Sequence, residues 1–214
     1  MNSSNKNTKE NFSLPALQNG DRAEFARVVN AYSDQIYRLA LKMLRDPQDA
    51  EDILQETFIN AYHGFSGFKG NSKISTWLYR IAANEALMLI RRRKENEISL
   101  QKTVESDEGD SFEPLNLTDW CCLPESELLS TEAIDYLDRA IEIISENLRA
   151  VFLLRDIEGL STAETADVLG ISEGAVKTRL SRARLKLREL LSGYYGNKLA
   201  GSPIHSQTGE KEGR

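Results

Sequence analysis

One stretch limits the fold more than any other: Leu160 to Leu185 reads LSTAETADVLGISEGAVKTRLSRARL. Ser161 and Glu164 have the spacing of a capping box, in which each side chain satisfies the other's backbone donor at a helix start. Gly170 suits the left-handed conformation that stops a helix, and Ser172 is placed to cap the next one. Ala163, Ala166 and Leu169 on the first helix and Val176 and Leu180 on the second are small or apolar, so the two can cross closely around Ile171. The opposite face of the second helix carries Glu173, Lys177, Thr178, Ser181 and Arg182. Arg179, Arg184, Lys186 and Arg188 add cations to the same few turns. A helix that reads duplex DNA needs this pattern: short polar or cationic groups that reach base edges, flanked by cations that hold phosphates. The plain alternative is an amphipathic surface helix with a solvated basic face. The glycine break, the capping box and the density of cations weigh together against it.

The rest of the chain is ordinary in bulk. Its 214 residues allow one large or two small domains. Nothing approaches the 18 consecutive apolar residues of a membrane span, and Met1–Gly20 lacks the pattern of a secretion signal. The expectation is a cytoplasmic protein without membrane insertion. Cys121 and Cys122 are adjacent, which suits neither an ordinary disulfide nor the spaced ligand pairs of structural zinc, and they read as reduced bystanders. The formal charge of −6 argues, taken alone, against a nucleic-acid binder. From Glu97 to Ser130, however, nine carboxylates face the single Lys102, and the remainder of the chain is left slightly basic with its cations clustered.

Hydrophobic periodicity then divides the chain. Residues 1–20 read as a disordered arm. From Asp21 the apolar positions recur at helical spacing through Phe25, Val28, Val29 and Tyr32, then Ile36, Leu39, Ala40, Met43 and Leu44. Asp46-Pro47 starts a helix that runs to about Tyr62, where Gly64, Gly67 and Gly70 forbid continuation. A further helix is expected over about Ser75–Arg93. Residues 21–95 form one unit, 96–126 an acidic linker with Pro114 and Pro124, 127–192 a second helical unit, and 193–214 a disordered tail. The expected architecture is all-α: two small helical domains joined by a flexible acidic linker.

In the first unit, Asp49, Asp52, Gln55 and Glu56 share one helix face, while Ala50, Ile53, Leu54 and Phe58 turn inward. Then come Phe65-Ser-Gly-Phe68-Lys-Gly-Asn-Ser-Lys-Ile-Ser-Thr-Trp77-Leu-Tyr-Arg-Ile-Ala-Ala-Asn84 and the run Arg91-Arg92-Arg93-Lys94. Over about residues 20–192 the chain resembles the extracytoplasmic-function (ECF) group of sigma factors in the sigma-70 family. The DAEDILQETF helix looks like the family's region 2.2, FKGNSKISTWLYRIAANEA like regions 2.3 and 2.4, and residues 127–192 like region 4. The long linker with its Trp120-Cys121-Cys122 departs from the broad pattern.

The resemblance implies a dissociable specificity subunit that binds core RNA polymerase and promoter DNA, reads the −35 and −10 elements and helps to melt the promoter. It assigns polymerase docking to Asp49, Asp52, Ile53, Gln55 and Glu56. It assigns the −10 element to Phe68, Lys69, Asn71, Ser72, Trp77, Arg80, Asn84, Arg91, Arg92 and Arg93, with Phe68 and Asn84 on a captured base. A base leaving the stack costs roughly a few kcal/mol, which stacking and edge hydrogen bonds recover. Trp77 is either a wedge or a core residue. The −35 element falls to Ser172, Glu173, Lys177, Thr178, Arg179, Ser181, Arg182 and Arg184. The acidic linker is either a nucleic-acid mimic toward basic polymerase channels or a soluble spacer. An anti-sigma partner is implied by the family and by no residue. The competing reading is a conventional activator or repressor that binds operator DNA. An enzyme is the weakest reading: His63 and His205 lie far apart with no nucleophile motif near either, and no phosphate-binding loop, cofactor motif or metal-ligand cluster is visible.

Overall fold

The computed structural model describes residues 12–100 and 131–201, and side chains over 12–95 and 135–192. All regular structure among them is helical. In the first unit the helices are α1 (Leu14–Gln18), α2 (Arg22–Leu44), α3 (Pro47–Gly64) and α4 (Ile74–Leu100). In the second they are α5 (Thr131–Ile143), α6 (Glu146–Phe152), α7 (Thr162–Leu169) and α8 (Glu173–Gly201).

Local chemistry sets most boundaries. Asp21 caps α2 by accepting from the N–H groups of Ala23 and Glu24 at 2.8 and 3.0 Å. Arg45 ends it in the left-handed region at φ 64°. Asp46 accepts from Gln48 and Asp49 at 2.8 and 3.0 Å, with Pro47 opening α3 as expected. A 3-10 turn, Phe65–Gly67, then leads into the glycine loop.

The three long helices of the first unit pack on one another. The stripe Val28, Ile36, Leu39, Ala40 and Met43 of α2 faces Ala50, Ile53, Phe58 and Ala61 of α3, and Leu78, Ala82, Ala83 and Ala86 of α4. The alanines let the backbones approach closely. Phe25, Phe58, Phe65, Phe68 and Trp77 cap one end as an edge-on aromatic group, Phe65 and Trp77 lying 4.8 Å apart. Gly64 is required there, because a Cβ on it would stand 2.9 Å from the Trp77 ring.

In the second unit α8 lies across α5, α6 and α7 through Val176, Leu180, Ala183 and Leu187. A π-type turn, Leu153–Ile157, with Glu158 N–H donating to the Leu153 carbonyl at 2.9 Å, separates α6 from α7. Both halves of the capping box form: Ser161 Oγ accepts from Glu164 N–H at 3.1 Å, and Glu164 accepts from Ser161 N–H at 2.8 Å. Gly170 stops α7 at φ 64°, and Ser172 accepts from Ala175 N–H at 3.1 Å.

Some expectations differ. The supposed arm contains α1, whose Leu17 is buried and whose Gln18 donates to the Phe68 carbonyl at 2.8 Å. Ser13 and Pro15 mark its start, Ser13 accepting from the Ala16 N–H at 3.4 Å, but five residues is too short for an apolar period, and the bond to Phe68 spans 50 residues. Helix α4 runs beyond Arg93 to Leu100, and α8 beyond Ser192 to Gly201. On α7 the buried positions are Thr165, Ala166 and Val168, and Ala163 is exposed, because α7 packs against α4 of the first unit as well as against α8. The linker with Trp120-Cys121-Cys122 lies outside the described residues, as do most of the arm and the end of the tail.

The two units are in contact, α4 against α7 and α2 against α5 and α6. Arg149 fastens them. Buried to 3% exposure, it donates to the carbonyls of Ile141, Glu142 and Ile144 at the end of α5 and to Met43 at the end of α2, all within 2.8–3.0 Å. Burial, then the nearby Arg45, push its pKa down to about 10, so it stays charged at neutral pH.

Candidate nucleic-acid interface

Helix α8 presents the clearest surface. Glu173, Lys177, Thr178, Ser181 and Arg182 are all exposed on α8, held outward because Val176, Leu180 and Ala183 are buried on the other side. Lys177 and Arg182 enter no ion pair among the described residues. Thr178 donates its hydroxyl back to the Gly174 carbonyl at 3.0 Å, leaving acceptor capacity outward. Ser172 serves as a cap, and Arg179 is half-buried.

Arg184 is exposed but paired. It forks onto Asp156, Nε at 2.8 Å and Nη2 at 2.7 Å, and that bond raises its pKa. The π-type turn carries Asp156 to it, so the exposed Arg184 also braces α8 against that turn.

In the first unit Lys69, Asn71, Ser72, Arg80, Asn84, Arg91, Arg92 and Arg93 are exposed. Phe68 is not: at 8% exposure it lies 6.0 Å from Phe65 and 4.7 Å from Trp77, so no ring face is open to a base. Trp77 is half-buried against the same rings, nearer to a core residue than to a free wedge. Two further cations have protein partners: Arg80 lies 3.3 Å from Asp167 of α7, and Arg93 2.5 Å from Asp49 of α3. The second pair joins a residue assigned to DNA with one assigned to polymerase.

On α3, Asp52, Gln55 and Glu56 form an exposed stripe. Ile53 is 7% exposed and belongs to the core, because it sits on the α2-facing side with Ala50. Sequence reasoning missed Ile59, 51% exposed and on the same stripe one turn further on. The signal was available, since positions 52, 55, 56 and 59 follow the 3-4 spacing of one helix face.

A three-helix unit with an acid-and-amide stripe and a basic final helix, followed by a helix-turn-helix with its reading face open, defines a class. The sigma-70 region 2 model matches residues 28–96, and the sigma-70 region 4 model matches residues 134–187. The ECF RNA polymerase sigma factor SigW of Bacillus subtilis (strain 168) is 38% identical over 178 residues, which cover 83% of this chain and 94% of that protein. The RNA polymerase sigma-H factor of Pseudomonas aeruginosa is 34% identical over 170 residues, covering 78% and 86%. The chain belongs to the ECF group of sigma-70 family sigma factors, which direct promoter-specific initiation by RNA polymerase.

Among solved structures, the sigma factor RpoE in complex with the anti-sigma factor NepR from Bartonella quintana shares the fold at a TM-score of 0.59 and 24% identity, over 79% of this chain and 97% of that one. CnrH in complex with the cytosolic domain of CnrY shares it at 0.58 and 24%, over 84% and 95%. Among the described residues no helix is long and apolar enough to cross a membrane.

Proposed function

We propose that the division of labour within this sigma factor follows its two exposed faces. The α3 stripe of Asp52, Gln55, Glu56 and Ile59 docks on core polymerase. Lys177, Thr178, Ser181 and Arg182 of α8 read the −35 element in the major groove, with Glu173 screening bases at the start of the helix. Lys69, Asn71, Ser72 and Asn84 take the −10 strand as it leaves the duplex, and Arg80 with Arg91–Arg93 holds its phosphates. The observation that carries this reading is the open α8 face, where two unpaired cations and two hydroxyls lie within two turns. The protein acts by binding and not by catalysis, in the cytoplasm, and a regulatory anti-sigma protein, such as the one bound to its structural neighbour from Bartonella quintana, holds it until needed.

The test is run-off transcription from genomic promoter fragments with purified core polymerase. The wild-type chain is expected to confer transcripts that core alone does not make. Failure to do so on every fragment would sink the reading in favour of an operator-binding regulator. Charge reversal at Asp52 and Glu56 should abolish core binding with helicity unchanged. Arg182→Ala should weaken use of the upstream element by about 1–3 kcal/mol if its contact is bidentate.

A further inference from the structure

The short helix that leads into the first unit is strapped to the glycine loop. Helix α1 packs on the 3-10 turn Phe65–Gly67 and on α2. Its Gln18 amide donates to the Phe68 carbonyl at 2.8 Å. Its Leu14 lies against Gly70, where an added Cβ would stand 3.0 Å from Leu14 Cδ2. Gly70 is in the left-handed region at φ 72°, so the loop turns at the point where Leu14 touches it. Phe68 is thereby fixed through every group it has: its N–H donates to the Phe65 carbonyl at 3.1 Å, its carbonyl accepts from Gln18, and its ring lies against Phe65 and Trp77. The strap is itself tied at both ends. The Ser13 N–H donates to Glu24 of α2 at 2.6 Å, and the Asp21 N–H donates to the Ala16 carbonyl at 3.0 Å. Immediately after the anchored Phe68, Lys69, Asn71 and Ser72 stand exposed.

We infer that α1 is a positioning strap for this loop: by holding the Phe68 carbonyl through Gln18 and the Gly70 turn through Leu14, it sets which bases the loop accepts in the −10 strand. The inference rests on the assignment of Lys69, Asn71 and Ser72 to that strand. Three points carry it. A loop with glycines at 67 and 70 has many conformations open to it, and only those that aim its polar side chains together can tell one base from another. Holding the loop in one of them beforehand removes the ordering cost from binding and denies a wrong base the alternatives in which it would find partners. The Phe68 carbonyl belongs to the peptide that joins Phe68 to Lys69, so the Gln18 bond fixes the direction in which the exposed part of the loop sets out. And the core-filling part of α1 is Leu17, at 3% exposure, whereas Gln18 is exposed and fills no core, so its bond to the loop is what its position supplies. Neither Gln18 nor Leu14 belongs to the α3 stripe or to α8, which leaves polymerase docking and −35 reading independent of both.

The experiment uses holoenzyme assembled from core polymerase and the full chain as wild type, Gln18→Met, Leu14→Ala or the control Asn30→Ala, whose site is exposed on α2 and outside the contacts named above. Gln18→Met keeps the length of the side chain and removes only its donor, and the melting temperature of each free variant checks that the fold is kept. The DNA is a promoter that the wild type transcribes, prepared in two pools, one randomised across the −10 window and the other across the −35 window. Sequencing the DNA each holoenzyme retains gives its discrimination at both elements. Gln18→Met and Leu14→Ala are each expected to lower discrimination in the −10 window about fivefold, the scale of one lost hydrogen bond, with −35 selection and core affinity as in the control. Amide exchange of the free chain is expected to rise over residues 69–73 in both variants. Wild-type discrimination in both variants overturns the inference. So does an equal loss at the two elements, which would make α1 only a support for the fold. If the wild type selects bases in the −10 window and the variants match it, the strap fails and the assigned function stands. If the wild type transcribes no promoter, or selects nothing in that window, the assignment of the loop fails first.

Discussion

The first unit is closed by an aromatic group drawn from four elements, whereas the second packs aliphatic side chains around a motif whose turn is set by neighbouring residues. Around Phe65 the first unit gathers rings from α2, α3, the glycine loop and α4. The buried side chains of the second are mostly aliphatic, and its motif is drawn by a capping box, a left-handed glycine and a serine cap within a dozen residues. The same contrast holds for the surfaces. Arg80 and Lys94 of α4 are paired with carboxylates of the second unit, whereas Lys177 and Arg182 on the exposed face of α8 enter no ion pair among the described residues. A domain defined by short-range signals can present its site independently of its neighbour. One defined by long-range packing has a site whose state depends on what lies against it.

Breaking the aromatic group should produce the largest effect. Phe65→Ala, at 1% exposure, is expected to destabilise the first unit by about 3–5 kcal/mol. Denaturant titration should record this, and hydrogen exchange should place the loss in α2–α4 with α7 and α8 still protected. Equal loss of protection in both units would erase the contrast.

Removing the fastener comes next. Arg149→Met strands four carbonyls at the ends of α2 and α5 and should cost about 3 kcal/mol. Arg149→Lys keeps the charge but lacks the fork, and should recover less than half of it. Full recovery by lysine would mean that charge alone, and not the multidentate geometry, holds the ends.

The smallest effect tests whether the second unit is locally specified. Ser161→Ala should cost about 1 kcal/mol, confined to α7. Glu164 offers the same test by pH. The Ser161 N–H, and then its hydroxyl, hold the carboxyl below its ordinary 4.5. The folded-state value is therefore the depressed one. The stabilisation is complete above pH 4.5 and is lost as pH falls through the folded-state value. Glu164→Gln should flatten this part of the acid limb, and an unchanged acid limb in that variant would remove Glu164 as its source.

Much of this was legible before any coordinates. The Asp46-Pro47 start, the Ser161/Glu164 box, the Gly170 stop and the open face of α8 are all consequences of residues within a few positions of each other. So is the stripe of Asp52, Gln55 and Glu56, whose extension to Ile59 follows the same spacing. What misled was side-chain direction at single positions: Phe68 is buried and Ala163 exposed. Periodicity identifies a helix face, but not which of two neighbours that face will meet.

The sequence alone determined the helical character, the two units, the turn between α7 and α8, and the family to which the motifs belong, because caps, glycines and apolar spacing act over one or two turns. Tertiary structure decided the rest. It took Arg184 for a brace on Asp156, closed the face of Phe68 against Trp77, built α1 onto the glycine loop, and set the carboxylates of the second unit on the cations of α4. Each of these depends on groups far apart along the chain meeting in space, and the packing of whole helices fixes where they meet.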